Sequence, residues 1–264
     1  PIAMTVSSPS PLAQLLAPLL QTQTQVSASG VLIMDLSSGQ TLYAENENVQ
    51  RPIASLAKLM TALLVVEKND DLTQWVKIPT NLPPLESTKV LVPGQQYRLG
   101  DVLTALLVHS SNEAAIALAE FTSGSQKAFV AEMNTRAKEL GLTHTSFTNP
   151  VGFDAPEQFS TAQDIGWLAT FVYQNPELRE RLSLRSATIK SRDGSVVTLI
   201  QTHQLLAQHS AVIAGKTGTT DAAGECLLSV VRDGSRELLV VLLSSRQRYR
   251  DMQTVLSILQ KLPV

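Results

Sequence analysis

The chain has little of what marks specialised protein classes. Its single cysteine, Cys226, allows no internal disulfide and cannot by itself build a zinc or iron–sulfur site. Its four histidines include no His-Glu-x-x-His spacing, so the sequence predicts no metal site. With 21 basic and 23 acidic residues the formal net charge is −2, which argues against nucleic acid as the main partner. These absences argue against a disulfide-stabilised, a metal-binding or a nucleic-acid-binding protein, and they leave the chemistry open.

Long hydrophobic runs are also missing. No stretch approaches the ~20 apolar residues that a helix needs to span a bilayer. The best candidate, residues 11–20, is short and interrupted by Pro18. The chain begins with Pro1 and lacks the positively charged start of a signal peptide. We therefore expect a processed or trimmed form without a membrane anchor, whose compartment has to be inferred from its function.

Strand patterns lie at both ends of the chain, and helical patterns lie between them. Short apolar runs beside turns predict strands at residues 31–36, 41–44, 226–231 and 237–243, and a hairpin at 188–198. Apolar residues at helical spacing predict helices at residues 55–66, at 102–121 with a break at 109–112, at 125–140, from 160 onward with a Ser-x-x-Gln capping box, and at 248–262.

This order predicts an α+β fold, in which an antiparallel sheet joins the two ends of the chain and is flanked by helices. We expect one domain at residues 30–264, with an all-helical subdomain inserted at approximately 68–165. Residues 1–29 are rich in Ser, Pro, Gln and Thr, and predict a tether or a loosely docked segment. A chain of this length can bury most of its apolar surface without a disulfide or a metal.

The first segment whose side chains could carry out catalysis is Ser55-Leu56-Ala57-Lys58. At the start of a helix, residues i and i+3 lie on one face, so the Lys58 amine can reach the Ser55 hydroxyl. A serine hydroxyl is a weak nucleophile that needs a base, and an amine can be that base only if its pKa is lowered by burial or nearby positive charge. Taken alone, the pair could equally be a chance Ser and Lys on a solvated helix face.

Two further segments share this ambiguity. Ser110-Ser111-Asn112 places small polar residues inside an apolar helical stretch, which is typical either of a helix end or of a site lining. Lys216-Thr217-Gly218-Thr219 follows an apolar strand and offers a cation, hydroxyls and an uncluttered backbone, which suits an anionic peptide end along a sheet edge. The alternative for this last segment is a surface lysine beside a glycine turn.

The order and spacing of the three segments favour a joint function. Ser-x-x-Lys, Ser-x-Asn and Lys-Thr-Gly, beginning at Ser55, Ser110 and Lys216, are the motif set of penicillin-binding proteins and class A β-lactamases. The chain resembles the low-molecular-mass penicillin-binding proteins, the serine D-alanyl-D-alanine peptidases. The resemblance runs from about Gly30 to Leu259 and also includes the segments 52–55, 111–115, 149–154, 160–164 and 221–224.

The resemblance implies a β-lactamase/transpeptidase-like fold with the active site in the cleft between the sheet and the helical subdomain. It implies that Ser55 attacks a D-Ala-D-Ala peptide bond, that Lys58 is its base, and that Ser110 relays a proton from Lys216 to the departing amine. Asn112 would then hold the substrate backbone.

The same resemblance assigns the third segment to substrate binding. Thr217 and Lys216 would hold the substrate carboxylate beside Gly218, and the amides of Ser55 and Thr219 would form the oxyanion hole. It implies no cofactor and peptidoglycan stem peptides as substrate. β-Lactams would be covalent inhibitors, and the protein would be exported to the periplasm or another extracytoplasmic cell-wall space.

The sequence departs from the carboxypeptidase pattern in one place. Many carboxypeptidases of this family carry Asn-Arg-Asn-x-Leu before Lys-Thr-Gly, and the corresponding segment here, residues 201–205, has Thr202 in place of the arginine. Loss of a guanidinium weakens the case for a free C-terminal carboxylate as ligand. The motif set as a whole indicates a D,D-carboxypeptidase. The missing arginine keeps a D,D-endopeptidase that cuts cross-links as the alternative.

Two other functions fit less of the sequence. A class A β-lactamase needs a Glu-x-x-Leu-Asn segment between the second and third motifs, and the nearest match, at residues 139–143, lacks the Asn. A non-catalytic penicillin-binding sensor has no need for an activated nucleophile, whereas Ser55, Lys58 and Lys216 are all present. Among the remaining residues, we expect Cys226 to be a core side chain and His109 to pack at a helix end, with Glu86 and Lys89 in a solvated loop.

Overall fold

A computed structural model of the protein describes residue 14, residues 26–83 and residues 90–261. The predicted tether at 1–29 and the loop residues Glu86 and Lys89 lie largely or wholly outside the described residues. The strands are β1 (Gly30–Asp35), β2 (Thr41–Glu45), β3 (Trp75–Lys77), β4 (Gln96–Arg98), β5 (Ser186–Lys190), β6 (Val196–Ile200), β7 (Val212–Thr220), β8 (Gly224–Asp233) and β9 (Arg236–Ser245). The helices are α1 (Lys58–Lys68), α2 (Leu99–Val108), α3 (Asn112–Ser123), α4 (Gln126–Glu139), α5 (Ala162–Gln174), α6 (Pro176–Ser183), α7 (Gln204–Gln208) and α8 (Arg248–Leu259).

The main sheet joins the two ends of the chain, as the sequence predicts. Its strand order is β2-β1-β9-β8-β7, and every pairing is antiparallel. The first strand lies directly beside the last one, with Leu32 opposite Val241. This order leaves β7, which carries Lys216, Thr217 and Gly218, at one edge of the sheet. The α+β fold class is therefore confirmed.

Both faces of the sheet are buried, because side chains along a strand alternate between its two sides. Leu32 on β1 and Val241 on β9 belong to the large core that the sheet shares with helices α1 to α5. Ile33 and Val240 point the other way and pack with α8, whose Met252 is fully buried. The continuous apolar run of β9 reflects this double burial.

Helices α1 to α5 lie on one side of the sheet, whereas α7 packs with α8 on the other side. Eight consecutive residues of α1, from Lys58 to Val65, are buried, so this helix is the centre of the layer and α2, α3, α4 and α5 pack around it. Ser111 and Ser125 cap α3 and α4 by accepting hydrogen bonds from the backbone of Ala114 and Ala128. No helix in the part of the chain that the structure describes is long and apolar enough to cross a membrane.

Two predicted helix starts are wrong by a few residues. The α-helix expected from Ser55 begins only at Lys58, because a 3-10 turn, Ala54–Ala57, comes first. The capping residue of α5 is Thr161 and not Ser160: the Thr161 hydroxyl accepts from the backbone N–H of Asp164. Ser160 instead pairs with Arg51 through its backbone and bonds to another hydroxyl through its side chain, so it is unavailable as a cap.

Candidate active site

The nucleophile predicted from the sequence lies in the 3-10 turn at the start of α1. Ala54, just before Ser55, has a φ of +47°, in the left-handed region that L-residues seldom adopt. The turn packs against the edge strand β7 so closely that a Cβ on Gly218 would lie 2.8 Å from the Ser55 amide nitrogen. Glycine at position 218 therefore allows the strand to lie directly on the turn that carries Ser55.

Lys58 lies one turn beyond Ser55 and is fully buried. Its Nζ donates to Ser55 Oγ at 2.7 Å, to Asn112 Oδ1 at 2.9 Å and to the Val151 carbonyl at 2.8 Å. These three contacts account for the three donors of a lysine ammonium. When the amine is neutral, it has a lone pair with which it can accept the Ser55 proton instead. The site thus joins two predicted motifs through one amine.

The environment of Lys58 favours that neutral form. Burial holds the pKa of Lys58 well below its ordinary value, and the positive charge of Lys216 lowers it further. The carboxylate of Glu113 acts in the opposite direction and raises the pKa. Because burial is the largest cause, the core packing of α1 is what turns this lysine into a candidate base.

Ser110 and Lys216 form a second serine–lysine pair. Ser110 follows the end of α2 and has a φ of +60°, and Lys216 Nζ donates to its Oγ at 2.6 Å. Lys216 is fully buried and also donates to the Thr217 carbonyl at 2.9 Å. Burial, followed by the charge of Arg248, lowers the pKa of Lys216 to about 7. This lysine can therefore lose and regain a proton near neutral pH.

The remaining residues of the third motif line the edge of β7. Thr217 Oγ1 donates to Thr202 Oγ1 at 2.7 Å, so Thr202 lies beside the motif. Arg248, at the start of α8, donates to the Gly218 carbonyl at 2.8 Å and also to the Thr219 hydroxyl. The hydroxyls of Thr217 and Thr202 and the backbone of β7 thus form one polar wall of a cleft.

That cleft has a volume of about 520 Å³. The structure brings the predicted residues Ser55, Ser110, Asn112, Thr217, Gly218 and Thr219 to its lining, while Lys58 and Lys216 lie behind it. In the described ranges, no group of three or more His, Cys, Asp or Glu could hold a metal ion. The arrangement therefore offers serine and amine chemistry in a polar cleft.

Sequence reasoning missed several residues that complete the site. The Val151 carbonyl accepts a hydrogen bond from Lys58, and the Glu113 carboxylate raises the pKa of Lys58. Arg248 donates to the Gly218 carbonyl of β7, and its charge lowers the pKa of Lys216. Segment 149–154 carries part of the family resemblance, which was the only available signal for Val151. Nothing in the local sequence around Arg248 indicates its role, because its partners lie 22 and 30 residues away along the chain.

The other residues considered from the sequence lie outside the chemistry. Cys226 is a buried core residue, and burial raises the pKa of its thiol to about 11. His109 caps the end of α2, and its Nδ1 lies 3.1 Å from the Ile200 carbonyl. His203 is buried with Nε2 2.7 Å from Ser229 Oγ, and burial lowers its pKa to about 4. None of the three lines the cleft.

Comparison with known proteins agrees with the geometry. A model of the D-alanyl-D-alanine carboxypeptidase family matches residues 18–247. The chain belongs to this family. The D-alanyl-D-alanine carboxypeptidase DacC of Escherichia coli is 33% identical over 250 residues, which cover 88% of this chain and 61% of that protein. A D-alanyl-D-alanine endopeptidase of Escherichia coli is 28% identical over 247 residues, covering 92% and 79%.

Solved structures share the fold of this family member. The DD-transpeptidase of Streptomyces K15 superposes with a TM-score of 0.83 at 26% identity, covering 91% of this chain and all (100%) of that one. This chain spans only 59–61% of the length of three carboxypeptidase relatives that it matches. The comparisons therefore establish the family and the fold.

Proposed function

We propose that this family member is a serine-type D,D-carboxypeptidase that cleaves the D-Ala-D-Ala bond of peptidoglycan stem peptides through an acyl-enzyme at Ser55. The observation that carries the proposal is the hydrogen bond of 2.7 Å between Lys58 Nζ and Ser55 Oγ, made by a fully buried amine. Such a pair is the arrangement that activates a hydroxyl nucleophile. Family membership supports the substrate class.

In the acylation step, neutral Lys58 takes the Ser55 proton while Oγ bonds to the carbonyl carbon of the penultimate D-alanine. The negative charge that develops on the carbonyl oxygen is held by the amides of Ser55 and Thr219. Removal of one such donor typically costs about 10²–10³ in rate. The close packing of Gly218 on the Ser55 turn supports this assignment, because it brings the two backbones together.

Collapse of the tetrahedral intermediate breaks the carbon–nitrogen bond. Ser110 donates a proton to the departing amine and is reprotonated by Lys216, with which it shares a 2.6 Å hydrogen bond. Exchange with solvent then resets the two amines, as Lys58 releases the proton it took from Ser55 and Lys216 regains one. Water attacks the acyl carbon and gives a proton to neutral Lys58, which passes it to Ser55 Oγ as the acid leaves. Lys216 can act as proton donor near neutral pH because its pKa is about 7.

Substrate binding uses the edge of the sheet. A peptide can pair with the free side of β7, where backbone hydrogen bonds supply affinity. The Thr217 hydroxyl would hold the terminal carboxylate, which the charge of the buried Lys216 would attract from behind the cleft wall, and Asn112 would hold the peptide backbone. A β-lactam presents a strained amide to the same groups, so we propose that penicillins acylate Ser55 as covalent inhibitors. The substrate places the protein in an extracytoplasmic cell-wall space, such as the periplasm.

A D,D-endopeptidase that cuts cross-links is the second candidate. Thr202 lies where many carboxypeptidases carry arginine, and its hydroxyl accepts from Thr217 at 2.7 Å. No Arg or Lys belongs to the described lining of the cleft. A threonine offers less attraction to a free carboxylate than a guanidinium and leaves room for a larger leaving group. The bond chemistry is the same in both cases.

The two candidates are separated by digesting pentapeptide monomers and cross-linked dimers in parallel, with Ser55→Ala as the control. Release of D-alanine from monomers alone supports the carboxypeptidase, and conversion of dimers to monomers supports the endopeptidase. Activity of the control equal to that of the wild type would refute the proposal. Labelling by a fluorescent penicillin without any digestion would instead indicate a sensor.

A further inference from the structure

A short loop between the helical layer and the sheet is held rigid by one side chain. Asn149 Oδ1 accepts backbone N–H groups of Val151, Gly152 and Phe153 at 3.2, 2.8 and 3.0 Å. Its Nδ2 donates to the Phe153 carbonyl at 3.1 Å. One side chain thus fixes the backbone of segment 149–154, so the two ends of this segment cannot easily move independently.

One end of the segment contacts the catalytic turn. The Val151 carbonyl accepts from Lys58 Nζ at 2.8 Å. Gly152, with a φ of +96°, lies so near the turn that a Cβ there would be 2.0 Å from the Ala54 carbonyl oxygen and 3.0 Å from the Ser55 nitrogen. The backbone at 151–152 therefore touches both the base and the turn that carries the nucleophile.

The other end of the segment contacts the edge strand. Asp154 Oδ1 accepts from Thr220 Oγ1 at 2.6 Å, and its Oδ2 accepts the backbone N–H of Ala222 at 3.0 Å. Thr220 is the last residue of β7 and follows Thr219 directly. Asp154 itself is exposed, so these two bonds contribute little to global stability. The two bonds connect the rigid loop to the end of β7, the strand that carries the third motif.

We propose that Asp154 is a positioning residue, which fixes the end of β7 relative to the Ser55 turn and so sets the spacing of the oxyanion-hole amides. This inference rests on the proposed function. The amides of Ser55 and Thr219 belong to different elements, and their separation has to match one oxygen atom within a fraction of an ångström. Arg248 holds β7 from the side of α8, and Asp154 holds it from the side of the loop.

The test compares three variants. Asp154→Ala removes both bonds. Asp154→Asn removes the charge but can keep both contacts, since its oxygen can accept from Ala222 and its amide can donate to the Thr220 hydroxyl. Glu157→Ala is the matched control, because Glu157 is exposed on the same loop and its side chain bonds to no described residue.

Acylation by a fluorescent penicillin and turnover of a D-Ala-D-Ala peptide are measured for each variant. We expect Asp154→Ala to lower the acylation rate constant and kcat about 10- to 100-fold with little change in KM, since misplacement of reacting groups acts on the transition state. Asp154→Asn should recover most of this loss, and Glu157→Ala should equal the wild type. Wild-type rates in Asp154→Ala would overturn the proposal. Equal losses in the Ala and Asn variants would also overturn it, because the effect would then be one of charge.

A second measurement does not depend on activity. Hydrogen exchange of the backbone amides at 217–222 and 151–153 should accelerate in Asp154→Ala and stay unchanged in Asp154→Asn and Glu157→Ala. If the wild type is not acylated at all, the proposed function fails, and the exchange rates alone decide about Asp154. Unchanged exchange in Asp154→Ala would show that the loop and the strand are held in place without it.

Discussion

Lys58 and Lys216 show how single residues acquire their chemistry from their surroundings. Both are fully buried, and burial is the largest cause that lowers the pKa of each. The sequence identifies these lysines through their motifs, but an isolated Ser-x-x-Lys on a solvated face would have an ordinary pKa. The sequence does not identify Glu113 as a functional residue, because its effect on the pKa of Lys58 depends on how α1 and α3 pack.

Glu113 leads to a prediction about the pH profile. Its Oε1 accepts from the backbone N–H groups of Val90 and Leu91 at 2.6 and 3.0 Å, and its charge raises the pKa of Lys58. Glu113→Gln keeps an acceptor oxygen for both bonds and removes the charge. The base must be neutral, and it is neutral above its pKa. A lower pKa of Lys58 should therefore move the rising limb of the acylation rate to lower pH.

The measurement is the second-order rate constant of acylation by a fluorescent penicillin at successive pH values. Glu157→Gln, which removes an exposed carboxylate from a loop and leaves Glu113 in place, is the control and should keep the wild-type midpoint. Lys216 is the other charge that acts on Lys58, and it remains in both variants. A midpoint that stays fixed or moves to higher pH in Glu113→Gln would contradict the electrostatic role of Glu113.

At the scale of elements, most helices and strands follow from local patterns. The strands β1, β2, β8 and β9 and the break between α2 and α3 lie where apolar spacing predicts them. The two errors have a common cause. Ala54–Ala57 forms a 3-10 turn under the edge of β7, and Ser160 pairs with Arg51, so contacts from distant parts of the chain decide where these helices begin.

The packing of the loop on the nucleophile turn leads to a second prediction. Gly152→Ala would place a Cβ 2.0 Å from the Ala54 carbonyl oxygen, at a φ of +96°. Gly141 also has a positive φ, +76°, but no described atom lies within 4 Å of its Cβ position. We expect Gly141→Ala to cost about 1 kcal/mol from backbone strain alone. Gly152→Ala should cost about 3 kcal/mol or more and abolish most acylation.

Denaturant unfolding gives the free energy of unfolding for the two glycine variants, and penicillin labelling gives their acylation. Because both positions have a positive φ, the difference between the two variants reports mainly the steric contact with Ala54. Similar stabilities of Gly141→Ala and Gly152→Ala would show that the loop can move away from the turn without cost. The rigid placement of segment 149–154 would then have to be abandoned.

At the scale of the whole molecule, one core connects the sheet with the helical layer. The same cluster contains Leu32 of β1, Leu103 of α2 and Leu118 of α3. A second cluster, with Met252 of α8, covers the other face of the same strands. The predicted inserted subdomain at approximately 68–165 stays a prediction. We propose that it unfolds together with the sheet, because the two share one continuous core.

Calorimetry of two core variants tests this cooperativity. Leu103→Ala in the helical layer and Met252→Ala behind the sheet each remove a fully buried side chain, and each should cost about 2–5 kcal/mol. Both should shift the same single unfolding transition to lower temperature. Val196→Ala, at a position 63% exposed on β6, should leave it nearly unchanged. Two transitions, each sensitive to only one of the core variants, would show that the layers unfold as separate units.

The sequence by itself determined the types of most elements, the sheet that joins the two chain ends, and the three motifs whose order indicates the family. Apolar periodicity, caps and turn residues act over a few positions, so they can be read locally. Only the tertiary structure decided the site, because its bonds connect residues far apart: Lys58 with Asn112 across 54 positions, Lys58 with Val151 across 93, and Lys216 with Ser110 across 106. The lowered pKa values, the loop contact through Asp154 and the use of Arg248 all depend on burial and packing, which no local pattern encodes.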